Sequence, residues 1–288
     1  MRLFDRPDGK HLKKLSHYNR IIPFVMPKRV NSTVQYSEVI NIDEALAVLK
    51  KINKEHGTSA GIMDLVMAAF VRTISQRPKI NRFVFGKKIY ARNEISSAVA
   101  VKKEMSDNAE TTELKVVYDP KDTLIDVARK IRTGIEENKG SSSSNDQDGF
   151  TKMLNLMPDF MISSVIFLIK VLDRMRLLPK SIRHLSPFHS SFFVTNLGSL
   201  RINAVYHHLY EVGTVSWFIG MGKKIKKIEK DEDGNIVIKR FIELKCVYDE
   251  RIVDGYYTAK AIRQTVKLIL NPEALLTPPE YVVVDDEI

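Results

Sequence analysis

The 288-residue sequence predicts an α/β protein of the α+β kind, with a mixed sheet. Strand patterns and helix patterns follow one another without a regular repeat, and strands dominate the last hundred residues. Hydrophobic residues make up 44% of the chain, which is enough for a packed core. We therefore expect an ordered, folded protein.

Alternating apolar residues at 33–42 predict a strand, and a helix follows from Asp43 to just before Gly57. A second helical pattern ends at Pro78. Residues 1–30, which contain several prolines, predict an irregular arm. Its apolar residues are expected to dock on the body, and they are Ile21, Ile22, Phe24 and Val25. Further strands are predicted at 82–90, 95–101 and 112–117, and a helix at 124–135.

The middle of the chain contains two unusual segments. Residues 140–149 are polar and of low complexity, which predicts a surface loop. Residues 158–178 predict an amphipathic helix, either facing a membrane or packing on the core as a lid. We favour the lid, because Asp173 and only three basic residues do not make a strongly cationic face.

The C-terminal part predicts a run of strands before a last helix. The strands are expected at 191–194, 214–221, 224–230 and 235–247, and the helix at about 256–270. The pair Asp233-Gly234 predicts a hairpin turn between the last two strands.

Charge and cysteine content restrict the functional classes. The net charge of +10 has no accompanying aromatic-basic pattern, so we expect no nucleic-acid binding. A phosphorylated cofactor explains the positive charge equally well. The single cysteine, Cys246, excludes an intrachain disulfide and is interpreted as a buried, inert residue. With no visible signal peptide or membrane-spanning stretch, a cytoplasmic location is expected.

Five landmarks follow one another in the last hundred residues. They are PFHSSFFVTNLGSL (187–200), VSWFIGMGKKIKK (215–227), DGNIVIKRFIEL (233–244), YDERIVDGYYTAKAI (248–262) and LILNPEALL (268–276). In order and spacing this series resembles the catalytic domain of the 2-oxoacid dehydrogenase dihydrolipoyl acyltransferases, which share the fold of chloramphenicol acetyltransferase. The Pro-x-x-Asn pattern at Pro78 to Asn81 is similar to that family as well.

The resemblance implies a coenzyme-A-dependent acyltransferase whose active site lies between two subunits of a homotrimer. It covers about residues 21–276, which leaves 1–20 as an N-terminal arm and 277–288 as a C-terminal tail. Coenzyme A or acyl-coenzyme A is then a substrate. The chain is expected to carry no lipoyl group of its own, so a lipoyl-bearing partner protein is one candidate acceptor; a free acceptor is another.

The general base of the resembled family is the histidine of an Asp-His-Arg signature, and this chain has Glu250 in that place, between Asp249 and Arg251. A carboxylate near its usual pKa is a weaker base than imidazole and becomes effective only where burial raises its pKa. Two interpretations stay open: Glu250 is a tuned base, or the chain is an inactive member that binds coenzyme A or serves as an assembly subunit.

The resemblance also assigns other site residues. Thr195 corresponds to the hydroxyl that stabilises the oxyanion, and Asp254 and Gly255 shape the active-site loop. The residues assigned to cofactor binding are Asn196, Gly198, Lys223, Lys224 and Asn81. The histidines that could replace the missing base are His189, His207 and His208. No spacing predicts a metal site.

Overall fold

The centre of the protein is a seven-stranded mixed sheet, seen in a computed structural model that describes residues 5–102, 111–139, 156–230 and 233–287. Its strands are β2 (Thr33–Asn41), β5 (Ile95–Lys102), β6 (Thr111–Tyr118), β7 (Phe192–Asn196), β8 (Trp217–Met221), β9 (Ile225–Lys230) and β10 (Ile236–Asp249). The strand order is β2-β10-β8-β7-β5-β6, and β9 pairs with the first half of β10. The predicted mixed-sheet α/β class is confirmed.

Strand β7 lies inside the sheet and is parallel to both of its neighbours, β5 and β8. The other pairings in this sheet are antiparallel. Strands β9 and β10 form the hairpin that Asp233-Gly234 predicts, and Gly234 has a φ of 83°, the left-handed conformation that such turns need.

The described helices are α1 (His17–Val25), α2 (Asp43–His56), α3 (Ile62–Gln76), α4 (Leu124–Lys139), α5 (Asp159–Arg174), α6 (Lys180–Leu185) and α7 (Gly255–Leu270). Helix α3 contacts α4 and α7, and α2 contacts β10. Helix α3 is buried along most of its length, as its continuous apolar sequence requires. The predicted helices at 43–56 and up to Pro78 are confirmed.

The two faces of the central strands pack into separate clusters. On β7, Phe192 and Val194 point into the main core with the helices, while Phe193 points to the other face. There Phe193 contacts a smaller cluster with Phe218, which is stacked on it at 4.7 Å, and Leu209. The second face is thus partly covered by the segment between β7 and β8.

Two regions near the N-terminus differ from their predictions. The predicted strand at 82–90 is a hairpin of β3 (Arg82–Phe85) and β4 (Lys88–Arg92), turned by Gly86 and Lys87, which both have positive φ. Strand β1 (Gly9–His11) adds to β4 in a small three-stranded sheet. In the arm, helix α1 leaves Ile21, Phe24 and Val25 exposed, so the prediction that these three dock on the body was wrong.

Helix α5 does not pack on the core as a lid. The only buried residue of this helix is Asp173, and Phe160, Phe167 and Leu168 are exposed. The carboxylate of Asp173 accepts a 2.7 Å hydrogen bond from Arg6 Nη2. The lid prediction was therefore wrong, because no residue of this helix belongs to the hydrophobic core clusters of the described residues or packs against them. The predicted loop at 140–149 lies outside the described residues. In the part of the chain that the structure describes, no helix is both long and apolar enough to cross a membrane.

The C-terminal segment beyond residue 276 runs back across the body. Asp285 accepts hydrogen bonds from Arg82 Nε at 2.6 Å and Nη2 at 2.7 Å, and both side chains are almost fully buried. Such bidentate pairs are among the stronger polar contacts in proteins. The end of the chain is therefore bound to the start of β3.

Breaking this pair should destabilise the fold. In Asp285→Asn, Arg82 loses its main counter-charge while staying buried, and we expect the free energy of unfolding to fall by about 3 kcal/mol. Asp286→Asn is the matched control, because that side chain is 83% exposed, and it should change stability by about 0.5 kcal/mol or less. Urea unfolding measures both. Equal losses in the two variants would contradict the assigned role of the buried pair.

Candidate active site

Thr195 lies near the end of β7, and the turn that follows is closed by Asn196. The Asn196 side chain accepts a hydrogen bond from Ser199 N at 3.3 Å, and Ser199 Oγ donates to Asn196 O at 2.6 Å. Thr195 is half-buried and shares the sheet face of Phe193, since side chains alternate along a strand.

This turn borders a cleft of about 620 Å³, which we call the Thr195 cleft after the residue before the turn, although Thr195 itself does not line it. Four of the five predicted cofactor residues line it together, namely Asn196, Gly198, Lys223 and Lys224. Both lysines are exposed, and Arg201 adds a third cation. The first turn of α3 forms the opposite wall, where the Asp64 carboxylate accepts a 2.7 Å hydrogen bond from Gly61 N. The cleft is open, and three of its four charged side chains are cations.

Gly198 allows the turn to approach the backbone that follows β8. A Cβ atom at this position would lie 2.8 Å from Gly222 O, closer than real Cβ atoms come to an oxygen. A Cβ atom added to Gly222 would likewise lie only 2.4 Å from Ala204 N. Glycines at both positions therefore let three backbone segments meet at the cleft.

Glu250 follows the last residue of β10 and is exposed. The residues on either side of it form a buried bidentate pair: Asp249 accepts from Arg251 Nε at 2.8 Å and from Nη2 at 2.7 Å. Arg251 Nη1 also donates to Met26 O at 2.8 Å. The backbone of Glu250 is thus fixed while its side chain faces solvent.

The sheet register separates Glu250 from Thr195. Thr195 is opposite Gly220 on β8, which is opposite Lys245 on β10. Glu250 lies five residues further along the chain, roughly 15 Å along the sheet, and two strands away, roughly 10 Å across it. One chain therefore cannot bring both side chains to a single reacting atom.

Sequence and structure comparisons place these features in a known fold. Residues 184–277 match the family model described as 2-oxoacid dehydrogenases acyltransferase (catalytic domain). A probable dihydrolipoamide acetyltransferase from Listeria monocytogenes is 14% identical, with a TM-score of 0.54 over 91% of this chain and 94% of that one. The chain has an acyltransferase fold. The resemblance predicted from the five landmarks is confirmed.

Two further solved structures have this acyltransferase fold. The cubic core of a pyruvate dehydrogenase multienzyme complex is 14% identical, with a TM-score of 0.53 over 89% of this chain and 91% of that one. A chloramphenicol acetyltransferase is 10% identical, with a TM-score of 0.52 over 90% and 99% of the two chains. No curated protein matches the chain in sequence.

The loop after Glu250 differs in detail from what the resemblance to acyltransferases implies. Asp254 is exposed and forms no described ion pair; it caps α7 by accepting a 2.9 Å hydrogen bond from Tyr257 N. A Cβ on Gly255 would meet nothing within 4 Å, so no tight backbone approach requires this glycine. The ionic contact that organises the loop is instead the Asp249–Arg251 pair.

The candidate replacement histidines lie in different places. His189 is buried before the start of β7, with Nδ1 2.9 Å from Ser186 Oγ, and is far from Thr195 along the strand. His207 lies on the sheet face of Thr195, stacked on Phe218 at 4.2 Å. Burial lowers the pKa of His207, which keeps its imidazole neutral and able to accept a proton. His208 is exposed beside Tyr210.

Two predicted residues lie away from the Thr195 cleft. Asn81 is buried, donates to Glu94 O at 3.0 Å, and lines a different cleft beside the C-terminal segment. Cys246 packs beside the core, and burial raises the pKa of its thiol to about 12. The described residues contain no group of three or more side chains placed to hold a metal ion.

The fit at Gly198 can be tested by adding one methyl group. Gly198→Ala places a Cβ against Gly222 O, so we expect a loss of about 1–3 kcal/mol in the free energy of unfolding. The matched control is Gly255→Ala, where the space is open and a helix begins, and it should be neutral or slightly stabilising. Urea unfolding of both variants measures this, and an unchanged Gly198→Ala would show that the turn can move away.

Proposed function

We propose that this chain is a coenzyme-A-dependent acyltransferase whose active site is completed by a second copy of the chain. An acyl group passes from a thioester to a thiol or hydroxyl acceptor. The observation that carries the proposal is the sheet register, which puts Thr195 and Glu250 at opposite ends of the same sheet, with Glu250 exposed and the turn after Thr195 bordering an open cleft. Two copies can bring one of each together.

The Thr195 cleft suits the thioester donor. Coenzyme A carries several phosphate charges, and Arg201, Lys223 and Lys224 at the cleft provide cations for them. Thr195 points to the other face of the sheet from this cleft, so the thioester end of the donor passes round the end of β7, where its carbonyl oxygen accepts a hydrogen bond from the Thr195 hydroxyl. That contact strengthens when the carbonyl becomes a tetrahedral oxyanion, so it lowers the barrier to acyl transfer.

Glu250 from the second copy acts as the base. Its carboxylate takes the proton of the acceptor thiol or hydroxyl as that group attacks the carbonyl carbon, and the coenzyme A thiolate leaves when the tetrahedral intermediate collapses. In a single chain Glu250 faces water, where a carboxylate is a weak base. Contact with the second copy removes that water and raises the basicity of the group.

A second candidate function is binding of coenzyme A without turnover. The exposure of Glu250 favours it, because the chain by itself provides no burial for the carboxylate. Release of free thiol from acyl-coenzyme A separates the two. If the parent is inactive and Glu250→His is active, the natural chain is a binder, since imidazole titrates near neutrality without burial.

Mixed oligomers test the shared site. Glu250→Gln should lose about 10² to 10⁴-fold in thiol release, and Thr195→Val about 10² to 10³-fold. Co-expressed with two different tags and purified as mixed oligomers, the two inactive variants should regain activity, with roughly a quarter of sites receiving an intact residue from each chain. Dihydrolipoamide and small hydroxyl compounds serve as acceptors.

The control for this experiment is His207→Gln. In the proposed mechanism it keeps near-parent turnover, because Glu250 removes the proton. Loss of activity in His207→Gln, with Glu250→Gln as active as the parent, would transfer the role of base to His207. Mixed oligomers as inactive as their components would exclude a site shared between copies.

The assembly itself is a separate prediction. We expect a homotrimer in solution, which the resemblance to the acyltransferases implies; the shared site itself requires at least two copies. Light scattering at micromolar concentration gives the mass directly. A monomer at that concentration would contradict both the trimer and the two-copy mechanism.

A further inference from the structure

A second cleft lies on the far side of β7 from the Thr195 turn. It has a volume of about 340 Å³, at the lower end of the range for small-molecule pockets. The N-terminal arm, the segment before β5, strand β6 and helix α6 each contribute to it. The charged or ionisable side chains that line it are Asp8, Glu94, Lys115, Arg183 and His189.

Arg183, on helix α6, is the unusual member of this set. The residue is only 7% exposed, yet its Nη1 has no hydrogen-bond partner and its guanidinium forms no ion pair with a described residue. Buried arginines are normally paired with a carboxylate, because removing a charge from water costs several kcal/mol unless a counter-charge replaces the hydration. Arg183 thus lines the cleft with a guanidinium that no described carboxylate neutralises.

His189 is a second buried side chain beside this cleft, but it already faces a carboxylate. The residue is 4% exposed, and its Nε2 lies 3.6 Å from the Asp173 carboxylate, within ion-pair distance. Arg183 is therefore the buried ionisable side chain of this cleft that has no charge partner among the described residues.

The surrounding charges leave one positive charge over. Lys115 pairs with Glu94 at 3.0 Å, and Arg6 pairs with both Asp8 and Asp173. Buried Arg92 donates to Thr214 O at 2.6 Å. Burial lowers the pKa of its guanidinium, and the carboxylates of Asp8 and Glu94 only partly oppose this effect. The four cations are Arg6, Arg92, Lys115 and Arg183, against the three carboxylates of Asp8, Glu94 and Asp173. A single negative charge balances the cluster.

We propose that this cleft binds a small monocarboxylate, with Arg183 as its principal ligand. The planar guanidinium offers two parallel N–H donors, which match the two oxygens of a carboxylate. One negative charge fits the local balance better than the two of a phosphate monoester. This site is independent of the proposed acyl transfer, since no residue lining it also lines the Thr195 cleft.

Thermal unfolding at constant ionic strength tests the proposal, with chloride exchanged for acetate or propionate. Ligand that binds only the folded state raises the melting temperature. The parent and the control Arg263→Gln, an exposed arginine on α7, should respond alike. Arg183→Gln should respond at least about tenfold more weakly in apparent affinity, the loss expected for one charged hydrogen-bond pair.

Three further measurements distinguish binding from a structural role of Arg183. Without carboxylate, Arg183→Gln should melt no lower than the parent, because the substitution removes an unpaired buried cation. Glu94→Gln should bind carboxylate more tightly, because it frees the Lys115 ammonium. Inorganic phosphate gives the general effect of a stabilising anion, which is the same in parent and Arg183→Gln.

The proposal fails if acetate and propionate raise the melting temperature of the parent and of Arg183→Gln equally. It fails also if Arg183→Gln melts several degrees lower without ligand, since the guanidinium then stabilises the empty fold. A response to phosphate that depends on Arg183 and exceeds the response to acetate would overturn the assignment to a monocarboxylate. None of these results depends on acyl-transfer activity.

Discussion

The direction of β7 determines the arrangement of every site in this protein. Because β7 is parallel to β5 and β8, strands β7 and β8 finish at the same end of the sheet, and Thr195, Gly198 and Gly222 meet there. Strand β10 is antiparallel to β8, so Glu250, which follows β10, lies at the opposite end of the sheet. Parallel neighbours also require long crossover connections. The crossovers into and out of β7 carry α5, α6 and the segment that covers the second face of the sheet.

Arginine side chains donate hydrogen bonds to backbone carbonyl groups of the loops near the Glu250 end of the sheet. Arg29 donates to Tyr210 O and Gly213 O, Arg251 to Met26 O, and Arg92 to Thr214 O. These carbonyl groups belong to loops and turns that have no strand partner for them. Buried carbonyls need donors, and one guanidinium can supply several at fixed angles. The N-terminal arm and the crossover segments are therefore joined to the sheet by guanidinium hydrogen bonds as well as by apolar packing.

The periodicity of apolar residues predicted the helices and strands that are packed into the core. It failed for elements whose structure depends on single polar, glycine or proline residues. Helix α3 and strand β10 follow their apolar patterns closely. The β3–β4 hairpin was missed because Gly86 is followed by two lysines, and neither is a common residue of such turns. Helix α1 was missed because Pro23 lies inside it. For α5, sequence showed an amphipathic helix but not that Asp173 alone would be buried.

The candidate site shows the same limit. The residues around Thr195 belong to landmarks of a known fold, so their grouping in one cleft could be predicted. Nothing in the sequence indicated that Asn81 lies in a different cleft. The cleft beside Arg183 has no recognisable sequence pattern, because its charged residues come from four distant segments: Asp8, Glu94, Lys115 and Arg183. Only the unpaired state of Arg183, a property of the folded chain, identifies that cleft.

In the proposed mechanism, a glutamate at position 250 gives the second copy a task that a histidine would not. Asp249 and Arg251 pair with each other, so neither is a partner for the exposed Glu250 carboxylate. In the proposed site only a second copy can shield that carboxylate from water, because the single chain leaves it exposed. A histidine would titrate near neutrality in either state. If Glu250 is the base, as proposed, it works only in the assembled protein, and activity should fall when the oligomer dissociates even though each chain stays folded.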